Sequence, residues 1–177
     1  MPPTLHCIRH AQGYHNLNIQ SHTIHDPLLT PLGEDQCRTL ASNFPNLGAV
    51  DLVVASPMKR TLNTALLTFT PLLQQKNSKV IAMPELQETS DLPCDTGSPS
   101  DGLQWEYASK PVDFTLIIDS WDSKKGRWAP TAAAIEKRAA DARKWLMSRP
   151  EKNIVVVSHG TSSAPTPAPF AAIAVKA

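Results

Sequence analysis

Four short apolar runs, each followed at once by polar residues, are the main pattern along the chain. They occupy residues 5–8, 51–55, 80–83 and 153–157. Runs of this length predict buried β-strands, and a continuous β-branched run such as 153–157 is typical of a parallel strand covered on both faces. We therefore predict that these four strands belong to one mostly parallel sheet.

Helical patterns fill the intervals between the strands. Thr30 and Pro31 suit the N-cap and the first position of a helix that continues to about residue 43. A second helix is predicted at 58–69, where Ser56 and Pro57 end the preceding strand. The clearest helix spans 131–149, with apolar residues at helical spacing: Ile135, Ala139, Ala142, Trp145 and Leu146. Strands alternating with helices predict an α/β fold.

Composition limits the class of protein without identifying it. The chain has 177 residues, of which 41% are hydrophobic and 19% charged, as expected for one globular domain. A net charge of +1 predicts neither nucleic-acid binding nor binding to an anionic membrane. We also expect no signal peptide and no transmembrane segment. Cys7, Cys37 and Cys94 are odd in number and widely spaced, which favours a reducing compartment, and we expect a cytoplasmic protein.

The residues that follow the predicted strands are of the types that handle phosphate, either by binding it or by moving a proton. Arg9 and His10 follow the first strand, Arg60 lies just beyond the second, Glu88 beyond the third, and His159 beyond the fourth. The carboxyl ends of parallel strands meet at one edge of a sheet, where open α/β folds bind their ligands. An arginine offers a planar set of donors for phosphate or carboxylate, and a histidine can act as nucleophile or base. An Arg-His pair alone is more often a solvated strand end, but the four positions together favour a phosphate site.

These four motifs in this order make the sequence resemble the histidine phosphatase superfamily, in its phosphoglycerate-mutase-like branch. The resemblance covers residues 4–160, with Ala11 where the first motif usually has glycine. It implies a three-layer α/β/α sandwich around a mostly parallel central sheet, with residues 1–160 forming the phosphatase-like domain.

The resemblance also implies a role for each site residue. His10 would attack phosphorus and become a phosphohistidine. Leu86-Gln87-Glu88 matches the Leu-x-Glu pattern of the family. Glu88 would therefore protonate the leaving oxygen and then activate water. The residues expected to hold the phosphoryl oxygens are Arg9, Asn16, Arg60 and His159. Because the two arginines and His159 would supply positive charge, we expect a metal-independent phosphatase without a cofactor, acting on a small phosphorylated substrate or binding phosphate ion.

Two segments depart from regular periodicity. Residues 89–129 are interrupted by proline and glycine, and we expect an irregular excursion over the mouth of the active site. The aromatic residues of this excursion could shape a leaving-group pocket or could serve ordinary packing. Residues 161–177 contain three prolines and no strand or helical period, so we expect an irregular tail unlike that of the family, as in a truncated or altered chain.

Other functions remain open at the level of sequence. A phosphoglycerate mutase-type phosphotransferase would usually carry longer and more basic insertions. The basic residues of the excursion are only Lys110, Lys124, Lys125 and Arg127, which favours hydrolysis. A non-catalytic phosphate-binding or interaction protein of the same fold is a second alternative, and the oligomeric state is undetermined.

A metal-dependent hydrolase is a more distant alternative. His15, His22 and His25 lie close together in the segment after the first strand. Zinc sites need converging ligands with further hydrogen-bonding support, often on a helix. Pro27 and the neighbouring turn-forming residues argue against such a helix, so a substrate-facing loop is the better interpretation.

Overall fold

A six-stranded sheet forms the centre of the molecule. The computed structural model describes residues 2–160 and 173–176. The strands are Thr4–Arg9 (β1), Leu52–Ala55 (β2), Val80–Ala82 (β3), Val112–Asp113 (β4), Asn153–Ser158 (β5) and Ile173–Lys176 (β6). Their order in the sheet is β4-β3-β2-β5-β1-β6, and every pairing is parallel except that of β6 with β1. The predicted mostly parallel sheet is confirmed.

Within residues 2–160, four α-helices accompany the sheet. They are Pro31–Asn43 (α1), Lys59–Gln75 (α2), Ser100–Glu106 (α3) and Ala132–Met147 (α4). In the described part of the chain, none of the helices combines the length and hydropathy needed to cross a bilayer.

The two faces of the sheet have separate hydrophobic cores. One core joins alternate strand residues to α1 and α2: Ile8, Leu40, Phe44, Val53, Leu62, Phe69, Val155 and Val157. The other joins the intervening strand residues to α4: Leu52, Val54, Ala142, Leu146, Ile154 and Val156. Successive strand side chains point to opposite faces, so helices on both sides are needed to cover them. The predicted three-layer α/β/α sandwich is confirmed.

The helix boundaries agree with the prediction at α1 and differ at α2. The Thr30 hydroxyl accepts a hydrogen bond from Gly33 N at 3.1 Å, and the helix begins at Pro31 as expected. The prediction that α2 ends near residue 69 is wrong, because the helix continues through Pro71. Leu72 and Leu73 are buried in the core beyond this proline, and their burial offsets the lost backbone hydrogen bond.

The excursion at 89–129 contains more regular structure than expected. Helix α3 and strand β4 both lie within it. Pro99 is one of the prolines that interrupt the sequence pattern, yet it directly precedes α3. At the start of a helix a proline is tolerated, because the N–H that it lacks would have no partner within the helix. Most of the aromatic residues here pack in the core, since Tyr107, Trp121 and Trp128 are buried.

Strand β6 differs from the irregular tail expected after residue 160. Its backbone pairs antiparallel with β1, with Leu5 opposite Val175. A strand that pairs with a free sheet edge does so through its backbone N–H and C=O groups, which every sequence has. The spacing of apolar residues therefore could not predict β6. The rest of the tail, residues 161–172 and 177, lies outside the described residues, and there the expectation stays a prediction.

Candidate active site

The carboxyl ends of the parallel strands bring distant histidines together. His10 follows β1 and His159 follows β5, and these two strands are paired in parallel. The centroids of the two imidazole rings are 5.3 Å apart. The neighbouring strand β2 adds Ser56, whose hydroxyl lies 2.9 Å from His159 Nε2. The expected meeting of the strand ends is therefore present.

The hydrogen bonds of His10 define which ring nitrogen is free. His10 Nδ1 lies 2.7 Å from the carbonyl oxygen of Ala11, which can only accept, so Nδ1 carries the proton. His10 Nε2 is then the unprotonated nitrogen and accepts from Arg60 Nε at 3.3 Å. Burial lowers the pKa of His10 well below its usual value, and the charge of Arg60 lowers it further. The ring is a neutral imidazole with its lone pair on Nε2.

Arg60 lies at the centre of the cluster. Its side chain is fully buried and Nη1 donates to the carbonyl of Cys94 at 2.7 Å. Arg60 Nη2 lies 3.2 Å from Glu88 Oε1 and 3.3 Å from Asp95 Oδ1. The same nitrogen is 3.3 Å from Nδ1 of His159. One guanidinium therefore contacts the free nitrogen of His10, two carboxylates and the second histidine.

A buried carboxylate from another segment caps the helix that carries Arg60. The N-cap residue of α2, Met58, has no side-chain acceptor for the first backbone N–H groups. Asp26 supplies the missing acceptor, since its Oδ1 accepts from Lys59 N at 3.0 Å. Its Oδ2 accepts from the backbone N and the hydroxyl of Ser98 at 3.0 and 2.7 Å. Burial raises the pKa of Asp26, and these hydrogen bonds oppose that rise. Asp26 thus fixes the first turn of α2 and joins segment 14–27 to the excursion.

His159 is held in the cluster from two sides. Its Nε2 faces the Ser56 hydroxyl, and its Nδ1 lies 3.3 Å from Glu88 Oε1. Burial and the neighbouring charge of Arg60 lower its pKa well below the usual value. A neutral His159 can present one N–H to an arriving anion, and that anion would favour its protonation.

The spacing of these groups also resembles a metal site. Ligand atoms of His10, Glu88 and His159 all lie within 4.8 Å of one another. Arg60, however, lies 3.2–3.3 Å from an atom of each, so a fixed cation already contacts all three ligands. In the part of the chain that the structure describes, His15, His22 and His25 do not converge as metal ligands.

Comparison with known proteins identifies the family. The model of the histidine phosphatase superfamily (branch 1) matches residues 5–164. The chain belongs to this superfamily. It is 27% identical over 165 residues to a “Probable phosphatase” of Schizosaccharomyces pombe, covering 89% of this chain and 74% of that protein. It is 31% identical over 194 residues to Phosphoglycerate mutase-like protein 1 of Arabidopsis thaliana, covering 88% and 67%.

A solved phosphatase structure shares the fold. The ecdysone phosphate phosphatase from Bombix mori, crystallised with tungstate, superposes with a TM-score of 0.59 at 18% identity, covering 89% of this chain and 73% of that one. The family model confirms the resemblance to the histidine phosphatase superfamily, and this structure supports the fold that the resemblance implied. The expected enzyme class, a phosphatase of phosphoglycerate-mutase-like type, is confirmed with it.

Two of the residues expected to bind phosphate are not part of the hydrogen-bonded cluster. Arg9 is exposed and lies against Gly160, where an added Cβ would be 3.0 Å from Arg9 Cδ. Asn16 uses its amide locally, since Oδ1 accepts from Gly13 N at 2.9 Å and Nδ2 donates to His15 Nε2 at 3.1 Å. Their roles as phosphate ligands stay predictions of the family resemblance.

Three residues of the site were not singled out from the sequence as site residues. Asp95 follows no strand and belongs to the excursion, so no pattern indicates it. Ser56 stands directly after β2, and its position at a strand end was an available signal. The His15 ring lies 5.3 Å from that of His10, and burial lowers its pKa to about 4. The sequence predicts a substrate-facing loop here, with a metal site as the distant alternative, and it does not indicate that the neutral His15 ring packs beside His10.

Proposed function

We propose that the protein is a metal-independent phosphatase that hydrolyses a phosphomonoester through a phosphohistidine formed on His10. One observation carries the proposal. The proton of His10 is held on Nδ1 by the Ala11 carbonyl, and its unprotonated Nε2 lies 3.3 Å from the buried Arg60. A neutral imidazole beside a fixed cation is what attack on an anionic phosphoryl group requires.

The surrounding groups supply the remaining steps. Arg60 and His159 stabilise the charge on the phosphoryl oxygens, and Arg9 and Asn16 can add donors from the exposed side. Glu88 protonates the leaving oxygen as the bond from phosphorus to that oxygen breaks. Its carboxylate then takes a proton from the water that attacks the phosphohistidine, which returns His10 to its neutral form. Glu88 Oε1 lies 3.2 Å from Arg60 Nη2 and 3.3 Å from His159 Nδ1, which supports assigning it to the same site as the phosphoryl-binding groups.

Arg60 provides the argument for chemistry without a metal. Phosphoryl transfer needs positive charge at the oxygens, which many enzymes supply with a bound cation. Here the Arg60 guanidinium contacts His10, Glu88 and His159 and can supply that charge. We therefore assign no metal or cofactor to the reaction.

Hydrolysis is favoured over transfer to a second phosphorylated acceptor. A mutase-type reaction needs cations for a second acidic group. Of the basic residues in the excursion, Lys124 donates to the Glu88 carbonyl at 3.0 Å, and Arg127 pairs with Glu85 at 2.7 Å. These side chains are already engaged, which supports water as the acceptor and a small phosphorylated compound as the substrate.

The free cysteines support a cytoplasmic location for the protein. Cys7, Cys37 and Cys94 are free thiols, and Cys37 and Cys94 are buried. Free cysteines are typical of reducing compartments, which supports the cytoplasm as the site of action. Finding the protein in an oxidising compartment would contradict this assignment.

Phosphate release from p-nitrophenyl phosphate tests the proposed function. We expect turnover that vanadate inhibits and EDTA does not, and loss of turnover in His10→Ala. The matched control is His25→Ala, an exposed histidine of the next segment, which should keep full activity. Phosphate binding without turnover would instead support a non-catalytic protein, EDTA inhibition would contradict the metal-independent mechanism, and transfer to phosphoglycerate in place of release would support a mutase.

A further inference from the structure

The short segment that carries the proposed general acid is held by side chains from three other elements. All four carbonyl oxygens of residues 85–88 accept a side-chain hydrogen bond. Arg138 of α4 donates to the carbonyls of Glu85, Gln87 and Glu88. The remaining bonds come from Ser158 to the Leu86 carbonyl at 3.1 Å and from Lys124 to the Glu88 carbonyl at 3.0 Å.

Arg138 is an unusual residue to find in this position. Its exposed fraction is 3%, and it forms no ion pair within residues 2–160. Its Nε is also without a hydrogen-bond partner there. Burying a cation without a carboxylate partner is costly, and an apolar side chain would fill the same space at lower cost. The compensation visible in the structure is the set of three carbonyls that its two terminal nitrogens bind.

We propose that Arg138 and Lys124 are positioning residues that fix the backbone of residues 85–88 so that the Glu88 carboxyl group stays aimed at the leaving oxygen. The proposal rests on the role of Glu88 in the proposed function. Both cations meet at the carbonyl of Glu88 itself, at 2.8 Å from Arg138 Nη2 and 3.0 Å from Lys124 Nζ. Neither donates to its carboxylate, so the two cations hold the backbone of Glu88 without binding the group that exchanges the proton.

A positioning role has a kinetic signature that a purely structural role lacks. A p-nitrophenolate ion leaves without needing a proton, whereas an alkoxide leaves only if an acid protonates it. Displacing the acid should therefore slow the hydrolysis of alkyl phosphates and spare p-nitrophenyl phosphate. General damage to the active site would slow both reactions alike.

The test compares kcat/KM for p-nitrophenyl phosphate and an n-alkyl phosphate in Arg138→Met, Arg138→Lys and Lys124→Met. For Arg138→Met we expect a loss of about 100-fold on the alkyl ester and less than about 3-fold on the aryl ester, since misplacing a catalytic group by about 1 Å has effects of this size. Lys124→Met should lose about 5-fold on the alkyl ester alone, because Arg138 still holds the same carbonyl. The control is Arg143→Met, an exposed arginine of the same helix, which should match the unmodified protein. Equal losses on both esters would overturn the proposal.

A double-mutant comparison separates this proposal from the proposed function. If Arg138 acts through Glu88, then Arg138→Met added to Glu88→Gln should cause no further loss on the alkyl ester. An additional loss of the full size would overturn the positioning role. If Glu88→Gln itself shows no preference for the aryl ester, the assigned general acid is wrong, and the proposed function fails at that step. If Arg138→Met does not fold, Arg138→Lys and the half-buried Lys124→Met decide the same question.

Discussion

Two buried arginines on opposite faces of the sheet approach the same glutamate in different ways. Arg60 comes from α2 and contacts the Glu88 carboxylate, while Arg138 comes from α4 and contacts the Glu88 carbonyl. Arg60 has one backbone acceptor, the Cys94 carbonyl, and its other contacts are groups that an anion can displace: two carboxylates and two imidazoles. All three acceptors of Arg138 are backbone carbonyls, which an anion cannot displace. This difference in acceptors supports the proposals that Arg60 binds substrate and that Arg138 holds the backbone.

The largest expected effect comes from removing Arg60. Arg60→Met should lower kcat/KM by about 1,000-fold or more for aryl and alkyl phosphates alike, because the charge acts on the phosphoryl group itself. Arg60→Lys should recover only part of this loss, since one ammonium cannot replace the planar set of donors. The measurement is the same two-substrate assay used for Arg138. A selective loss on alkyl esters would erase the distinction between the two arginines.

The neighbouring control for Arg60 is Lys59→Met. Lys59 forms an ion pair with Glu106 at 2.7 Å rather than contacting the cluster. We expect its removal to change kcat/KM by less than about 3-fold, as for other partly exposed ion pairs.

Acid should destabilise the Arg60 side of the molecule through its buried imidazoles. The pKa of His15 is about 4 in the folded chain, below its ordinary value of 6.5. Between pH 6.5 and 4, His15 binds a proton in the unfolded chain but stays neutral in the folded chain. The stability that the neutral ring contributes is therefore fully present above pH 6.5 and is lost as the pH falls toward 4. The contribution of His15 to the free energy of unfolding should fall by about 2 kcal/mol between pH 7 and 5.

Chemical denaturation of His15→Leu at both pH values measures this contribution. The variant should lose about 2 kcal/mol less than the unmodified protein on acidification. His10 and His159 remain in both chains, so their shared contribution cancels. An unchanged pH dependence would show that His15 does not stay neutral when buried.

A smaller effect is expected at Asp95, which shares Arg60 Nη2 with Glu88. Asp95→Asn removes a negative charge that competes with the phosphoryl group for this nitrogen. The dissociation constant of vanadate, measured by inhibition, should therefore decrease by about 10-fold, equivalent to about 1.4 kcal/mol. Asp91→Asn, at an exposed position four residues earlier, is the control. Weaker binding of vanadate would mean that Asp95 mainly orients Arg60.

The smallest effect is expected at Arg127, an exposed arginine near the segment that Arg138 binds. Arg127 pairs with Glu85 at 2.7 Å and with Asp141 at 3.5 Å, and it lies over the Trp128 ring. Exposed pairs of this kind stabilise a protein by about 1 kcal/mol or less, so Arg127→Met should lower the melting temperature only slightly. Its activity should be unchanged on both esters. A selective loss on alkyl phosphates would extend the positioning role to Arg127.

The sequence could predict the part of the site that depends on the sheet. Parallel strands place their carboxyl ends at one edge of the sheet. His10, Glu88 and His159 each follow a predicted strand, so the sequence could assign them to that edge. Asp95 could not, because its position depends on the path of an irregular segment. The same limit applies to Arg9 and Asn16, whose side-chain directions no strand pattern determines.

Arg138 shows a second limit of pattern reading. The predicted apolar face of α4 included Ala139, yet the structure buries Arg138 and exposes Ala139. Arg138 is one turn before the buried Ala142, so its place on the buried face could have been noticed from spacing. Hydrophobicity excluded it, since an arginine is rarely buried without an ion pair. A charged residue in line with a buried face is therefore a useful signal for a polar contact beneath it.

The most direct test of the central claim is to trap the phosphoryl group on the protein. Glu88→Gln should form the intermediate from p-nitrophenyl phosphate, which needs no acid, and should then hydrolyse it slowly for want of a base. Rapid quenching under alkaline conditions followed by mass spectrometry of the digested chain should find one phosphoryl group, on His10. Turnover of this variant with no phosphorylated residue, or with the phosphoryl group on a residue other than His10, would contradict the account.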